Sequence, residues 1–133
     1  MTNKNDTTII DYDFFVDNAL RIVVKNVLQM LYDEKNLGEH HFFITFETNH
    51  PSVRLSSDFH KKHPLNMTIV LQHQFSNLEV KDDYFSVTLS FNGKQENITV
   101  GYQAITQFTD PSTDFALQFT SFNEEENLIL NTK

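Results

Sequence analysis

The 133 residues predict a mainly β domain behind one N-terminal α-helix, its strands rolled into a small antiparallel sheet or partly open barrel. Three observations carry this expectation. Residues 11–34 hold one long, apolar helical pattern. Between residues 41 and 119, short runs rich in Val, Ile, Thr and Phe alternate with turn residues. Asn92-Gly93 separates two such runs and is the strongest short hairpin signal a sequence offers. The length fits one domain with a real core. The division expected is a flexible N-terminus at 1–10, a folded unit over 11–119, and a flexible acidic tail at 120–133.

The helix is expected from Asp11 or Asp13 to Glu34, with early acids (Asp11, Asp13, Asp17) at the positive end of its dipole. Its polar residues fall mainly on one i+4 row: Asp13, Asp17, Arg21, Lys25, Gln29 and Asp33. Nearly everything else is apolar, including Phe15, Val16, Ala19, Leu20, Val23, Val24, Val27, Leu28 and Leu31, with Phe14, Ile22 and Met30 widening the stripe. That is more than one core-facing side needs, so one surface should cover the sheet and the other is free to meet a second subunit, the alternative being a helix sunk deep in its own small domain. Phe15, Ala19, Ile22 and Val23 are the candidate contacts. Asn36-Leu37-Gly38 should end the helix, with Gly38 near the left-handed C-terminal position.

His41–Thr48 follows as a strand of high β propensity. Residues 49–66 read as a surface loop with a short helical turn around Ser56–His60. Residues 67–73 then read as a strand covered on both faces, which gives way at its end to the amides and imidazole of Gln72-His73-Gln74. Alternation along it puts Gln72 and Gln74 on one face and His73 on the other, where paired amides can serve a peptide backbone. Leu78–Val80, a turn at Lys81-Asp82-Asp83, and Tyr84–Phe91 come next. In the last of these Phe85, Val87, Leu89 and Phe91 share one face. Glu96–Val100 is the returning hairpin strand, Tyr102–Phe108 is expected as one or two helical turns, Asp110-Pro111-Ser112 as a tight turn, and Phe115–Phe119 as the last strand.

Chemistry is sparse. The chain has no cysteine, which removes disulfides and thiolate catalysis. A net charge of −8 argues against nucleic-acid binding, whose affinity rests on Lys and Arg neutralising phosphates. The polar start MTNKNDTT lacks an apolar signal region, and no run approaches a membrane span, so a cytoplasmic protein is expected. Asn66-Met67-Thr68 and Asn97-Ile98-Thr99 match the glycosylation sequon but have no signal peptide to make them meaningful. Asp58-x-His60-x-x-His63 alone has ligand-like spacing, and nothing flanking it supplies a third ligand, so no metal or cofactor is expected. No nucleophile motif or phosphate loop appears, and an enzyme is not expected.

Several blocks in order carry a family resemblance: His40–Phe46, Met67–Gln74, Phe85–Leu89, Val100-Gly101-Tyr102-Gln103-Ala104-Ile105, and Asp110-Pro111-Ser112-Thr113-Asp114-Phe115-Ala116-Leu117-Gln118-Phe119. Together they resemble the stringent starvation protein B (SspB) family in its alphaproteobacterial form. The resemblance implies an Sm-like β fold, a homodimer paired through the N-terminal helix, and a non-enzymatic adaptor. Such adaptors bind the ssrA degradation tag and tether tagged proteins to the ClpX unfoldase of the ClpXP protease. The tag-contacting amide of the family matches Gln72 most closely, with Gln74, Phe85 and Val87 as further peptide-binding candidates. Leu128, Ile129, Leu130 and Lys133 echo the terminal motif that docks on the unfoldase, although the tail is shorter than in relatives. Gly101 stands where the family commonly has proline. The competing readings are an Sm-like RNA-binding module, against which the acidic balance counts, and a divergent metal-dependent hydrolase.

Overall fold

The computed structural model describes residues 8–119 other than His73. The tail candidates Leu128, Ile129, Leu130 and Lys133, and most of the expected N-terminal extension, lie outside the described residues.

Asp11 starts the first helix, α1 (Tyr12–Glu34), by accepting the Phe14 backbone N–H at 3.0 Å. Lys35, not Gly38, takes the left-handed position that ends it, with φ 68°, and returns its N–H to Leu31. Gly38 also has positive φ but serves the next turn, where its N–H binds Asn36 Oδ1. Val24, Leu28 and Leu31 form the inner face. The expected polar row does not stay in solvent. An i+4 row drifts around a helix, because four residues exceed one turn, and at Arg21 it crosses into the interior. Arg21 is 3% exposed, donates to the Ile105 carbonyl at 3.1 Å, and stacks over the Phe119 ring at 4.7 Å. Burial pulls its pKa down and Asp17 opposes that.

Seven strands follow among the described residues: β1 (Phe42–Glu47), β2 (Asn66–Leu71), β3 (Phe75–Val80), β4 (Tyr84–Phe91), β5 (Lys94–Gly101), β6 (Ile105–Asp110) and β7 (Phe115–Gln118), with a short helix α2 (Ser57–Lys62) between β1 and β2. They form two antiparallel sheets, ordered β2-β1-β6-β7 and β3-β4-β5. This is the small rolled sheet behind one helix that the sequence predicts, and the barrel is not closed. Arg54 and Thr99 exchange backbone bonds of 2.9 and 3.1 Å, tying the loop after β1 to β5 and so joining the sheets. Phe46, Phe85 and Phe108 are the largest fully buried side chains. Each contributes roughly 1.5–3 kcal/mol by leaving water.

Two strand expectations are corrected. The 67–71 run is not covered on both faces. It is an edge strand whose burial alternates: Met67, Ile69 and Leu71 face the core, while Asn66, Thr68 and Val70 face out. It also stops at Leu71, so Gln72 and Gln74 lie on the bend connecting the two sheets rather than on one strand face. Tyr102–Phe108 is helical only over Tyr102–Ala104, as one 3₁₀ turn. The rest is β6, paired on both sides, where β-branched Ile105, Thr106 and Thr109 outweigh any helical tendency.

The hairpin is as expected, with Asn92 at φ 52° and Gly93 at φ 80°, the positive pair that a type I′ turn needs. Gly101 is held to glycine by a neighbour rather than by its backbone. Its φ of −70° and ψ of 142° suit proline or any other residue, but a Cβ there would overlap the Ser52 side chain, which His50 Nδ1 fixes at 2.8 Å. Gly101→Ala is therefore expected to lose about 1–3 kcal/mol of stability by overpacking. Urea unfolding checks this, and Gly101→Ala with Ser52→Gly should recover most of the loss.

Candidate peptide groove

The three residues between β2 and β3 join the edge of one sheet to the edge of the other. A strand end at such a junction cannot continue its ladder, so its side chains turn outward. Gln72 and Gln74 are both exposed. With the outward residues Thr68 and Val70 of β2 and with Leu89, Ser90 and Phe91 of β4, they line a groove of about 440 Å³. Every lining side chain is uncharged. Val70, Leu89 and Phe91 supply apolar wall, and the amides and hydroxyls supply donors and acceptors, the composition of a small-ligand or peptide site. β2 adds a sheet edge, where backbone N–H and C=O groups lack a strand partner.

Alternation explains which residues arrive there. Thr68 and Val70 have the same parity as Gln72, and their inner neighbours hold the core. The structure brings Gln72 and Gln74 to this surface but not Phe85 and Val87, which are both fully buried. The physical reason is alternation: the face of β4 that carries Phe85 and Val87 is turned into the core, and only its last residues, Leu89 to Phe91, reach the groove. Thr68, Val70, Leu89, Ser90 and Phe91 escaped the sequence reading. The period-2 pattern of β2 was the signal that could have found the first two.

The candidate dimer residues lie on the outward side of α1. Phe15 is 59% and Ile22 56% exposed, Ala19 is also exposed, and Val23 is half-buried. Tyr12, Val16 and Met30 extend the exposed apolar surface. Its positions repeat at i, i+3, i+4 and i+7, a continuous stripe set well apart from the Val24/Leu28/Leu31 face.

A larger cavity of about 610 Å³ lies between α1 and the Tyr102 turn, lined by Arg21, Lys25, Asp82, Asp83 and Tyr102 among others. Two of its charges pair with each other, Lys25 Nζ meeting Asp82 Oδ1 at 3.2 Å. Burial, with Asp82 and Asp83 adding to it, raises the Tyr102 hydroxyl far above its ordinary pKa, so it stays protonated and donates to the Lys81 carbonyl at 2.9 Å.

One constellation invites a catalytic reading. His40 Nδ1 lies 2.6 Å from Asp110 Oδ2, and Ser112 Oγ donates to Asp110 Oδ1 at 2.6 Å. Both partners converge on the carboxylate, which also accepts the Ser112 backbone N–H at 3.1 Å, so Asp110 anchors the Pro111–Thr113 turn. Burial works against its ionisation, but the hydrogen bonds from Ser112 and His40 outweigh it and hold its pKa below the usual carboxylate range. Ser112 Oγ also lies 3.3 Å from His40 Nδ1, but that is the nitrogen already facing Asp110, so acid and serine share one side of the imidazole and no relay across the ring is formed.

Asp58, His60 and His63 do not assemble a site: His63 packs its ring edge against Phe59, and no group of three or more metal-ligating side chains occurs among the described residues. No helix among the described residues is long and apolar enough to cross a membrane. A family model described as stringent starvation protein B matches residues 15–131, most of the chain. No curated protein matches it.

Proposed function

The chain belongs to the stringent starvation protein B family, and from that premise we propose that it is a cytoplasmic, non-enzymatic adaptor that binds ssrA degradation-tag peptides and delivers tagged proteins to the ClpXP protease. Family membership supports the adaptor role in general. The observation that carries the peptide half is the groove of Thr68, Val70, Gln72, Gln74, Leu89, Ser90 and Phe91 beside the free edge of β2.

An extended peptide offers alternating side chains and a row of backbone donors and acceptors. The edge strand can pair with the backbone, the amides of Gln72 and Gln74 can donate to and accept from it, and Val70, Leu89 and Phe91 can receive apolar side chains. Phe85 and Val87 contribute by holding the floor in place from within. The α1 stripe through Phe15, Ala19, Ile22 and Val23 pairs two copies, so that one assembly carries two grooves and two tails. Leu128, Ile129, Leu130 and Lys133 dock on the unfoldase, and two tails on one dimer raise the local concentration of substrate at the protease.

Fluorescence anisotropy with a labelled ssrA-tag peptide tests this reading. Micromolar or tighter binding is expected, and no binding at tens of micromolar refutes it. Gln72→Ala should weaken binding about tenfold or more, the cost of removing hydrogen bonds worth roughly 1.5 kcal/mol or more together. Because Gln72 is exposed, its unfolding midpoint should hardly move.

A further inference from the structure

The chain is strongly acidic, yet the short helix packed beside the groove ends in basic residues. Helix α2 ends in three consecutive basic residues, His60, Lys61 and Lys62, all exposed. It packs against the groove directly: the Phe59 ring meets the groove-lining Phe91 at 4.8 Å, edge to face. Lys94, paired with Phe91 in the hairpin, is already met by two acids, Glu96 at 3.6 Å and Asp58 of the same helix at 4.0 Å, which leaves Lys61 and Lys62 as the open charges. Neither Lys61 nor Lys62 has an acidic partner among the described residues. An uncharged, partly apolar groove beside a helix that carries two exposed lysines fits a ligand with an acidic run followed by apolar residues.

The chain carries such a segment. Asn123-Glu124-Glu125-Glu126-Asn127 is followed by Leu128-Ile129-Leu130. It starts close enough. Gln118, Gln107, Thr45 and Thr68 lie on one row across the four-stranded sheet, so the last described residues stand three strand spacings, about 15 Å, from the groove wall. The nine residues from Thr120 to Leu128 span up to about 30 Å when extended. The alternative apolar surface near the exit, at the start of α1, is bordered by Asp13 and Asp17 and repels three glutamates.

We propose that the segment Asn123–Leu130 occupies the groove of its own chain, its glutamates along Lys61 and Lys62 and its apolar residues against Val70, Leu89 and Phe91. The inference rests on reading the groove as a peptide site. A linker of this length holds the segment at an effective concentration in the millimolar range, so weak contacts fill the groove until a better peptide arrives. Tag binding then expels the tail and makes Leu128–Leu130 available to a further partner, coupling substrate capture to docking.

The absence of cysteine makes the test clean, since Thr132→Cys in the full chain accepts a single nitroxide. Amide signals of Val70, Ser90 and Phe91 should lose most of their intensity, and Lys61→Glu with Lys62→Glu should restore it. Full intensity at these amides in the labelled protein, loss confined to α1, or loss that survives the lysine reversals overturns the proposal. A mixture of isotope-labelled chains without nitroxide and nitroxide-bearing unlabelled chains should show little loss; equal loss there assigns the contact to a neighbouring copy and overturns it as well. The two readings fail separately. If the tag binds with Gln72 dependence while the signals stay intact, the tail proposal falls and the adaptor reading stands. If the signals are lost and the tag does not bind, the adaptor reading falls and the tail proposal stands.

Discussion

Phe85→Ala is expected to cost about 3–5 kcal/mol of folding stability, the loss from emptying a fully buried aromatic site. Phe85 sits in the middle strand of its sheet, beside Tyr102 at a ring-centroid distance of 6.1 Å, and no backbone shift from a free edge can close the space left behind. Urea unfolding should show a much lower midpoint, and tag binding by the fraction still folded should change little. The contrast with Gln72→Ala is the point of the experiment: one variant moves stability and spares affinity, the other the reverse. If Phe85→Ala leaves stability within about 0.5 kcal/mol of the parent, the residue is not core and its assignment to the interior is wrong.

Ile22→Glu is expected to abolish the proposed homodimer while leaving each subunit folded. The side chain is 56% exposed in the single chain, so a glutamate there meets water and costs the subunit little. In a two-fold dimer the same stripe faces itself, and each substitution appears twice. Burying an unpaired carboxylate costs about 3–5 kcal/mol per charge, which weakens association by a factor of at least about a hundred. Analytical ultracentrifugation at micromolar concentration should find dimers of the parent and monomers of the variant, with matching far-ultraviolet circular dichroism. A variant that stays dimeric moves the interface away from α1. Tag affinity per subunit should be unchanged, since the groove is built from β2, β4 and the bend between the sheets. Delivery of bivalent substrate should fall.

Local patterns made much of this protein readable. Asp11 and Glu34 bound a helix because capping and apolar period act within a few residues. Asn92-Gly93 specifies its turn because few residues tolerate two positive φ angles in succession. The amphipathic excess of α1 and most strand positions follow from the same short-range rules, but β6 and the end of β2 do not. Gln72 and Gln74 were legible as misfits, polar groups where packing had no use for them.

What tertiary structure alone decided was which neighbours each strand has. A run of Ile, Val and Leu reads as buried on both faces, yet β2 landed at an edge, and that turned Val70 into a groove wall. The core took one face of β4, and with it Phe85 and Val87, out of reach. Arg21 went inside because the Ile105 carbonyl and the Phe119 ring, 84 and 98 residues further along the chain, happened to meet it there. Ser52 restricts Gly101 from elsewhere in the chain in the same way. Composition and period are set by residues a turn or a pleat apart. Strand order, the choice of buried face, and the joining of Thr68 to Ser90 in one groove are set by contacts between distant segments, whose energies no local window contains.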